Sequence, residues 1–281
     1  MKRIAGRVAV VTGAASGIGR ATALRLAERG CALALADVDR VGLDETAALL
    51  AGRGAKVSTA VVDVASAPAM EAFARHVETT HGGAQILVNN AGVVIAGGFA
   101  EQRLEDLAWL LGVNYWGVVH GCHFFLPLLR RADEGHIVNL SSMFGFLGLP
   151  GQSGYCATKA AVRALSESLY AELRPERIGV TTVHPGCIDT SIVRSGRMDD
   201  EGMRREVQAL FDRRGAPPDT VARAIVGAIE HDRLFVRVRP ESWATDVLKR
   251  LFPTAIHRVL AARWARERSG QERPGPQAGP R

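Results

Sequence analysis

Short apolar strand signals alternate with amphipathic helical signals through most of this 281-residue chain, and that alternation predicts an α/β fold. The expected architecture is a single domain: a doubly wound parallel sheet of about seven strands with helices on both faces. Two further observations agree. A glycine-rich turn, Thr12 to Gly19, joins the first strand signal to the first helix signal. The residues able to do chemistry fall at the C-terminal ends of strands, where such sheets bind their ligands.

Val8 to Thr12 is an apolar run ending at glycine and reads as a buried strand. Gly17 to Arg29 places Ile18, Ala21, Leu24 and Leu26 at helical spacing, and Gly30 stops it. Ala32 to Ala36 is a second strand, closed by Asp37. Val41 to about Leu50 is helical, and Lys56 to Val62 is a strand. Ser66, whose hydroxyl can accept from the free N–H groups of a first turn, caps a helix to about Thr80. Ile86 to Asn89 is the fourth strand. A helical stretch, with or without a break, covers Arg103 to Leu129. Ile137 to Leu140, the long helix Gly154 to Leu173, and Val180 to Val183 follow. Pro218 suits the first position of a helix reaching about Glu230, because its missing N–H is not needed there. Leu234 to Val238 is the seventh strand. Near-continuous apolar strands imply a sheet covered on both faces, wound by right-handed crossovers. The catalytic unit is expected over residues 1–240, a basic amphipathic extension over 241–270, and a Pro- and Gly-rich disordered tail over 271–281.

Hydrophobic residues make up 47% and charged residues 23%, which fits an ordinary globular protein and leaves no need for disulfide staples. Cys31, Cys122, Cys156 and Cys187 form no CxxC pair and read as reduced thiols of a cytoplasmic protein. No metal site is expected. His120 and His123 lie three apart without a carboxylate partner and read as helix surface or core. No run is long enough to span a membrane, and no signal-peptide core opens the chain. The net charge of +6 gathers near the C-terminus, where Lys249, Arg250, Arg258, Arg263, Arg266 and Arg268 face Glu241, Asp246 and Glu267. With no interleaved aromatic-basic surface, nucleic acid is not an expected partner.

The turn Gly13-Ala14-Ala15-Ser16-Gly17-Ile18-Gly19 has the spacing G-x3-G-x-G. Glycines let the backbone approach a pyrophosphate, and the following helix N-terminus offers free N–H groups and partial positive charge. Asp37, 18 residues beyond Gly19, can accept the ribose hydroxyls of an adenosine and would repel a 2′-phosphate, so NAD is expected over NADP. Arg40 is the nearby cation that would favour NADP, and an ordinary N-cap or loop aspartate is the alternative reading of Asp37. Asp63-Val64 could line an adenine pocket, and Asn90-Ala91-Gly92 could flank the ribose. Either could also be an ordinary turn.

Tyr155 and Lys159, four apart near a helix start, share a face. Ser141-Ser142 emerges from the fifth strand at the same edge. Thr12 to Gly19, Asn89 to Gly92, Ser142, Tyr155-x-x-x-Lys159 and Pro185-Gly186 together resemble the short-chain dehydrogenase/reductase family, in its typical Tyr-x-x-x-Lys branch. The resemblance covers about Arg7 to Val238, in the family's order. It implies a Rossmann-type fold and a homo-oligomer, dimer or tetramer. It also implies a substrate-orienting serine at Ser142, thirteen before Tyr155, and a helix asparagine at Asn114. Nicotinamide contacts are implied around Pro185, Gly186, Ile188 and Thr190. On physical grounds, hydride transfer to a ketone leaves negative charge on oxygen that needs a proton, and Tyr155 is the expected general acid/base. Lys159 is expected to hold the ribose and to favour the phenolate. Lowering a phenol by ~2 to 3 pKa units takes ~3 to 4 kcal/mol.

Met143 to Pro150, between Ser142 and Tyr155, is apolar and should wall the substrate pocket, with Phe144 in it. A hydrophobic secondary alcohol or ketone is therefore the expected substrate. Epimerisation or dehydration on the same scaffold, and a non-catalytic cofactor-binding regulator, are the alternatives. Ile188 to Arg214 reads as a charged, mobile substrate lid carrying Arg194, Arg197, Asp199, Asp200, Glu201, Arg204 and Arg205. In the extension, Trp243, Val247, Leu248, Leu251 and Phe252 share a helical face, Pro253 interrupts it, and Ile256, Val259, Leu260 and Trp264 resume it. Such a stripe over residues 241–268 could pack on the protein's own core, on a sister subunit, or on an anionic membrane surface.

Overall fold

The computed structural model describes residues 1, 3–190, 192, 196–198, 202, 205, 209, 213 and 215–271. Seven parallel strands form one sheet: β1 (Val8–Thr12), β2 (Ala32–Asp37), β3 (Val57–Val61), β4 (Ile86–Asn89), β6 (Gly135–Leu140), β7 (Ile178–Pro185) and β9 (Phe235–Val238). Their order is β3-β2-β1-β4-β6-β7-β9, so the direction of winding reverses between β1 and β4. A two-residue parallel pair, β5 (Ile95–Ala96) and β8 (Arg197–Met198), stands apart from it.

Period-two alternation sends side chains to two cores. Val11, Leu33, Leu35, Ile86 and Val88 face α1 (Gly17–Glu28), α2 (Arg40–Ala51) and α7 (Pro218–His231) through Leu26, Leu43 and Ile225. Val10, Ala34, Leu87 and Ile137 face the other way, toward α3 (Ala67–His81), α5 (Gly117–Arg130) and α6 (Ser153–Leu173) through Phe73, Phe125 and Val162. Phe73 and Phe125 meet edge to face with centroids 5.5 Å apart.

The punctuation works as anticipated. Ser66 accepts from Ala69 N–H at the start of α3, and Pro218 opens α7. Gly30 takes φ +80° just past α1, where an L side chain would be strained. The stretch from Arg103 is broken: α4 (Leu104–Leu111) runs into a π-helical turn, Gly112–Trp116, before α5. Strand ends differ from the expectation by one or two residues. Strands β6 and β7 start earlier because Gly135 and Ile178 already pair with each other.

The extension forms two helices, α8 (Pro240–Leu251) and α9 (Pro253–Gln271). The face that α8 turns inward is polar. Ser242 and Asp246 are buried, whereas Trp243, Leu248, Leu251 and Phe252 are exposed. Of the apolar stripe, these four and Val259 stay exposed, whereas Val247, Ile256, Leu260 and Trp264 are half-buried. Ser242 Oγ donates to the His184 carbonyl at 2.7 Å, and Arg237 Nε donates to Asp246 Oδ2 at 2.6 Å. Among the described residues no helix is long and apolar enough to cross a membrane. The expected tail beyond 271, and most of the expected lid including Arg194, Asp199, Asp200, Glu201 and Arg204, lie outside the described residues.

Candidate active site

The turn after β1 is held in an open, backbone-lined form. Gly13 and Gly17 have φ of +66° and +52°. Asn90 Nδ2 donates to the carbonyls of Thr12 (2.9 Å) and Gly13 (3.0 Å), and Thr12 Oγ1 accepts from Asn90 N (3.0 Å) and Ala91 N (3.2 Å). The end of β4 is thus stitched to the glycine turn. A Cβ at Gly13 would stand 2.7 Å from Asn90 Nδ2, and one at Gly19 would overlap the Gly13 carbonyl. Ser16, exposed, is the N-cap residue of α1, with Gly17, Ile18 and Gly19 as its first turn. A Cβ at Gly17 would lie 3.2 Å from Thr190 Cγ2, so the loop after β7 approaches the turn from the opposite side. The helix N-terminus and the open glycine turn thus lie at the sheet's switch point, the place where such sheets bind phosphate groups.

At the end of β2, Asp37 Oδ2 accepts from Ala15 N at 2.9 Å and Oδ1 from Asp39 N at 3.1 Å. This places the carboxylate over the glycine turn. Asp39, not Asp37, caps α2. Asp63 is exposed and closes a local turn on Ala65 N, and Val64 is buried against Gly117. Pro185 ends β7, Gly186 N donates to the Val238 carbonyl, and Cys187 N donates to Glu241 Oε1. Ile188 is buried in the core, bridged to Ala216, so it could serve a ligand only through its backbone.

A second group of side chains converges at the ends of β4 and β6. Asn114 is in the π-helical turn, where the irregular backbone turns it inward. Its Oδ1 accepts from Val93 N (2.8 Å), and its Nδ2 donates to the Val93 carbonyl (2.9 Å) and Thr158 Oγ1 (3.2 Å). Lys159 is 3% exposed and donates to the Leu140 carbonyl at 3.0 Å. A Cβ at Gly92 would stand 3.3 Å from Lys159 Nζ and 3.4 Å from Asn114 Oδ1, so these three residues meet. Ser141 Oγ donates to the Lys159 carbonyl, which ties β6 to α6 from the other direction. Ser142 is extended, and its Oγ accepts from Phe144 N at 3.2 Å at the head of a single turn, Met143–Gly145.

Tyr155 and Lys159 are both shifted by burial in the cofactor-free fold. Burial pushes the Tyr155 phenol up to about 12, and hydrogen bonding with Ser142 opposes this in part. The Lys159 ammonium is 5.8 Å from the ring centroid and donates to the Leu140 carbonyl. Burial also brings Lys159 itself down to about 8. A buried acid and a buried base each favour the neutral form.

Sequence reading missed several residues because their partners are far along the chain. His184 lies behind Ser142, and Thr158 backs Asn114. Beneath the site, Asn89 Nδ2 donates to Asn139 Oδ1 (2.8 Å), and Asn139 Nδ2 donates to Ser166 Oγ (3.0 Å), which links β4, β6 and α6. His120 donates to or accepts from nothing catalytic: its Nδ1 meets the Val64 carbonyl at 2.9 Å, and His123 packs edge-on to Phe124.

Comparison with known proteins agrees with this geometry. The short chain dehydrogenase family profile matches residues 7–201. A Mycobacterium tuberculosis protein named as an oxidoreductase, SadH, is 40% identical over 266 residues, which cover 93% of this chain and 96% of the relative. A 3-oxoacyl-[acyl-carrier-protein] reductase, FabG of Thermotoga maritima, is 31% identical over 80% of this chain and 90% of its own. Among solved structures, a short chain dehydrogenase/reductase of Burkholderia phymatum in complex with NAD superposes with a TM-score of 0.84 at 33% identity, covering 89% of this chain and 95% of the other. A metagenomic short-chain oxidoreductase in complex with NADP superposes with a TM-score of 0.69 at 28% identity, covering 84% and 98%. By its fold, its profile and its relatives, this chain belongs to the short-chain dehydrogenase family of oxidoreductases.

Proposed function

We propose that this protein transfers a hydride between NAD(H) and a lipophilic secondary alcohol or ketone, with Tyr155 as the proton-transferring group. The observation that carries this reading is the convergence of Ser142, Tyr155, Lys159, Asn114 and Gly92 at the C-terminal edge of β4 and β6, beside the glycine turn. The nicotinamide cofactor, when bound, supplies or accepts the hydride. The chain's own residues do the rest. Gly13, Ser16, Gly17, Ile18 and Gly19 would cradle the pyrophosphate, and Asn90, Ala91 and Gly92 would flank the ribose. Pro185, Gly186, Ile188 and Thr190 would close the far side, with Asp63 and Val64 toward the adenine. Ser142 would orient the substrate oxygen, and Tyr155, protonated at neutral pH, would donate to it. For oxidation of an alcohol the phenolate is needed, and the buried Lys159 is the one cation among these residues to favour it.

Preference for NAD is supported by Asp37, whose carboxylate caps the turn at Ala15 and would repel a 2′-phosphate. A lipophilic substrate is supported by the loop Met143 to Pro150, with Phe144 half-buried in it. Trp264 of α9 also stands beside Gly151 at the loop's end, where a Cβ would meet its ring at 3.3 Å. Absorbance at 340 nm with a panel of aliphatic and aromatic secondary alcohols, using NAD and NADP in parallel, tests the proposal. Stoichiometric NADH supports it, and turnover with no net change in NADH would favour an epimerase.

The partners follow from exposed apolar side chains. Leu104, Leu111 and Trp116, on and after α4, support a homo-oligomer, which light scattering at micromolar concentration checks. Trp243, Leu248, Leu251, Phe252 and Val259 are exposed among Arg250, Arg258, Arg263 and Arg266, which supports peripheral contact with an anionic membrane. Full-length protein should sediment with phosphatidylglycerol vesicles at low salt, and a variant lacking residues after Pro240 should not. Four free thiols fit a reducing, cytoplasmic compartment.

A further inference from the structure

The ladder between β6 and β7 ends where Ser141 N donates to the Val183 carbonyl at 2.9 Å. Beyond that point the chain of Ser142 turns away into the single turn Met143–Gly145, where its carbonyl accepts from Gly145 N at 2.9 Å and keeps a second lone pair free. A side chain from the next strand takes that second position: His184 Nδ1 lies 3.0 Å from the Ser142 carbonyl oxygen. Because a carbonyl only accepts, the proton is on Nδ1. Nε2 is then the acceptor for the Thr182 hydroxyl at 3.2 Å, which fixes the neutral tautomer. Burial holds the imidazole well below its ordinary value, at about 4, so it stays in that form at neutral pH.

The ring is fixed on every side. It is fully buried and stacks on Phe146 at 4.1 Å and 28°. Phe146 follows the turn that Ser142 opens, and Arg163 Nε donates to Gly145 O at 3.2 Å to pin that turn. His184's own carbonyl accepts from Ser242 Oγ at 2.7 Å, and Ser242 is fully buried on α8. One turn further along α8, Asp246 pairs with Arg237, the cross-strand partner of His184.

We infer that His184 is a positioning residue for Ser142, and that α8 acts on the reaction through it. The path runs from Ser242 to the backbone of His184, through the imidazole to the Ser142 carbonyl, and so to the direction of the Ser142 hydroxyl. This rests on the proposed role of Ser142. It gives the polar inner face of α8 a function that packing alone does not explain, since an apolar face would hold the helix at less desolvation cost.

The test is a double-mutant cycle with 1-phenylethanol and NAD, with folding checked by circular dichroism. His184→Leu, which keeps bulk but not the donor, should lower kcat by ~10- to 100-fold, the range expected for a misplaced reacting group, with NAD affinity within about twofold. His184→Asn, which retains an N–H near Nδ1, should recover most of the rate. Ser242→Ala should lose about two- to fivefold, and it stands in for His184→Leu if that variant does not fold. In a Ser142→Ala background all three substitutions should have almost no further effect on kcat, because there is no hydroxyl left to aim. Losses that multiply with Ser142→Ala, or that fall on NAD affinity instead, overturn the inference and leave the proposed function standing. A Ser142→Ala enzyme as fast as wild type, or a wild type that turns over neither this alcohol nor any of the panel, overturns both.

Discussion

Replacing Lys159 by methionine should inactivate the enzyme and stabilise it. Lys159 is 3% exposed, and burial alone lowers its pKa from 10.5 to about 8. Keeping the ammonium charged in the empty fold therefore costs about 3 kcal/mol at pH 7, at roughly 1.4 kcal/mol per pKa unit. Methionine fills a similar volume with no charge. It leaves the Leu140 carbonyl without its 3.0 Å donor, which returns roughly 1 to 2 kcal/mol. The net gain is about 1 to 2 kcal/mol, or about 2 to 6 °C in the melting temperature of a chain this size. The sign with pH follows from the direction of the shift. The folded-state pKa is below the unfolded one, so the unfolded chain binds more protons between about 8 and 10.5. Wild-type stability must then rise with pH across that window. Between pH 7 and 9.5 the wild type should recover about 2 kcal/mol relative to Lys159→Met, and the two melting temperatures should converge or cross. Urea unfolding of the cofactor-free proteins at both pH values measures this. A variant less stable than wild type at pH 7 by more than about 1 kcal/mol, or a difference that does not change with pH, refutes the reasoning.

Other substitutions probe separate parts of the account. Asp37→Ser should weaken NAD about tenfold through lost hydrogen bonds, and should narrow or reverse the preference over NADP in paired titrations. A wild type that prefers NADP would transfer that role to Arg40. His136, fully buried with Nε2 on Thr181 Oγ1 at 2.8 Å, is brought down to about 3 by burial. Its contribution is present above the unfolded value near 6.5 and is lost as pH falls toward 3. His136→Gln should therefore flatten the decline in stability between pH 6 and 4.5 by about 1.4 kcal/mol per unit, read from urea midpoints. An unchanged slope would mean that His136 does not stay neutral in the fold.

Local signals located most of the scaffold. Apolar runs marked the strands because a sheet covered on both faces carries few polar residues in its middle, and those only with buried partners: Val8–Thr12 and Ile86–Asn89 illustrate the rule, His136 and Asn139 the paired exceptions. The glycine turn, Asp37 at the end of β2 and Tyr155 with Lys159 on one helical face were legible for the same reason: each depends on spacing within one element. The links between elements were not. Ser142 and His184 are 42 residues apart, and His184 and Ser242 are 58 apart; no periodicity relates them. The extension shows the limit most clearly. Its helical period was visible, but which face would turn inward depended on Ser242 and Asp246 finding partners on β7 and β9. The electrostatics of Lys159 also escaped, because its bond to the Leu140 carbonyl and its burial are products of the whole fold.

The account turns on Tyr155 as the group that moves the proton. The most direct measurement is NADH formation from a lipophilic secondary alcohol by wild type and by Tyr155→Phe, with NAD affinity of both measured by fluorescence titration. The prediction is a loss in kcat of at least about 10²- to 10⁴-fold, the usual contribution of a positioned acid/base, with NAD affinity nearly intact. A phenylalanine variant that turns over at close to the wild-type rate would contradict it.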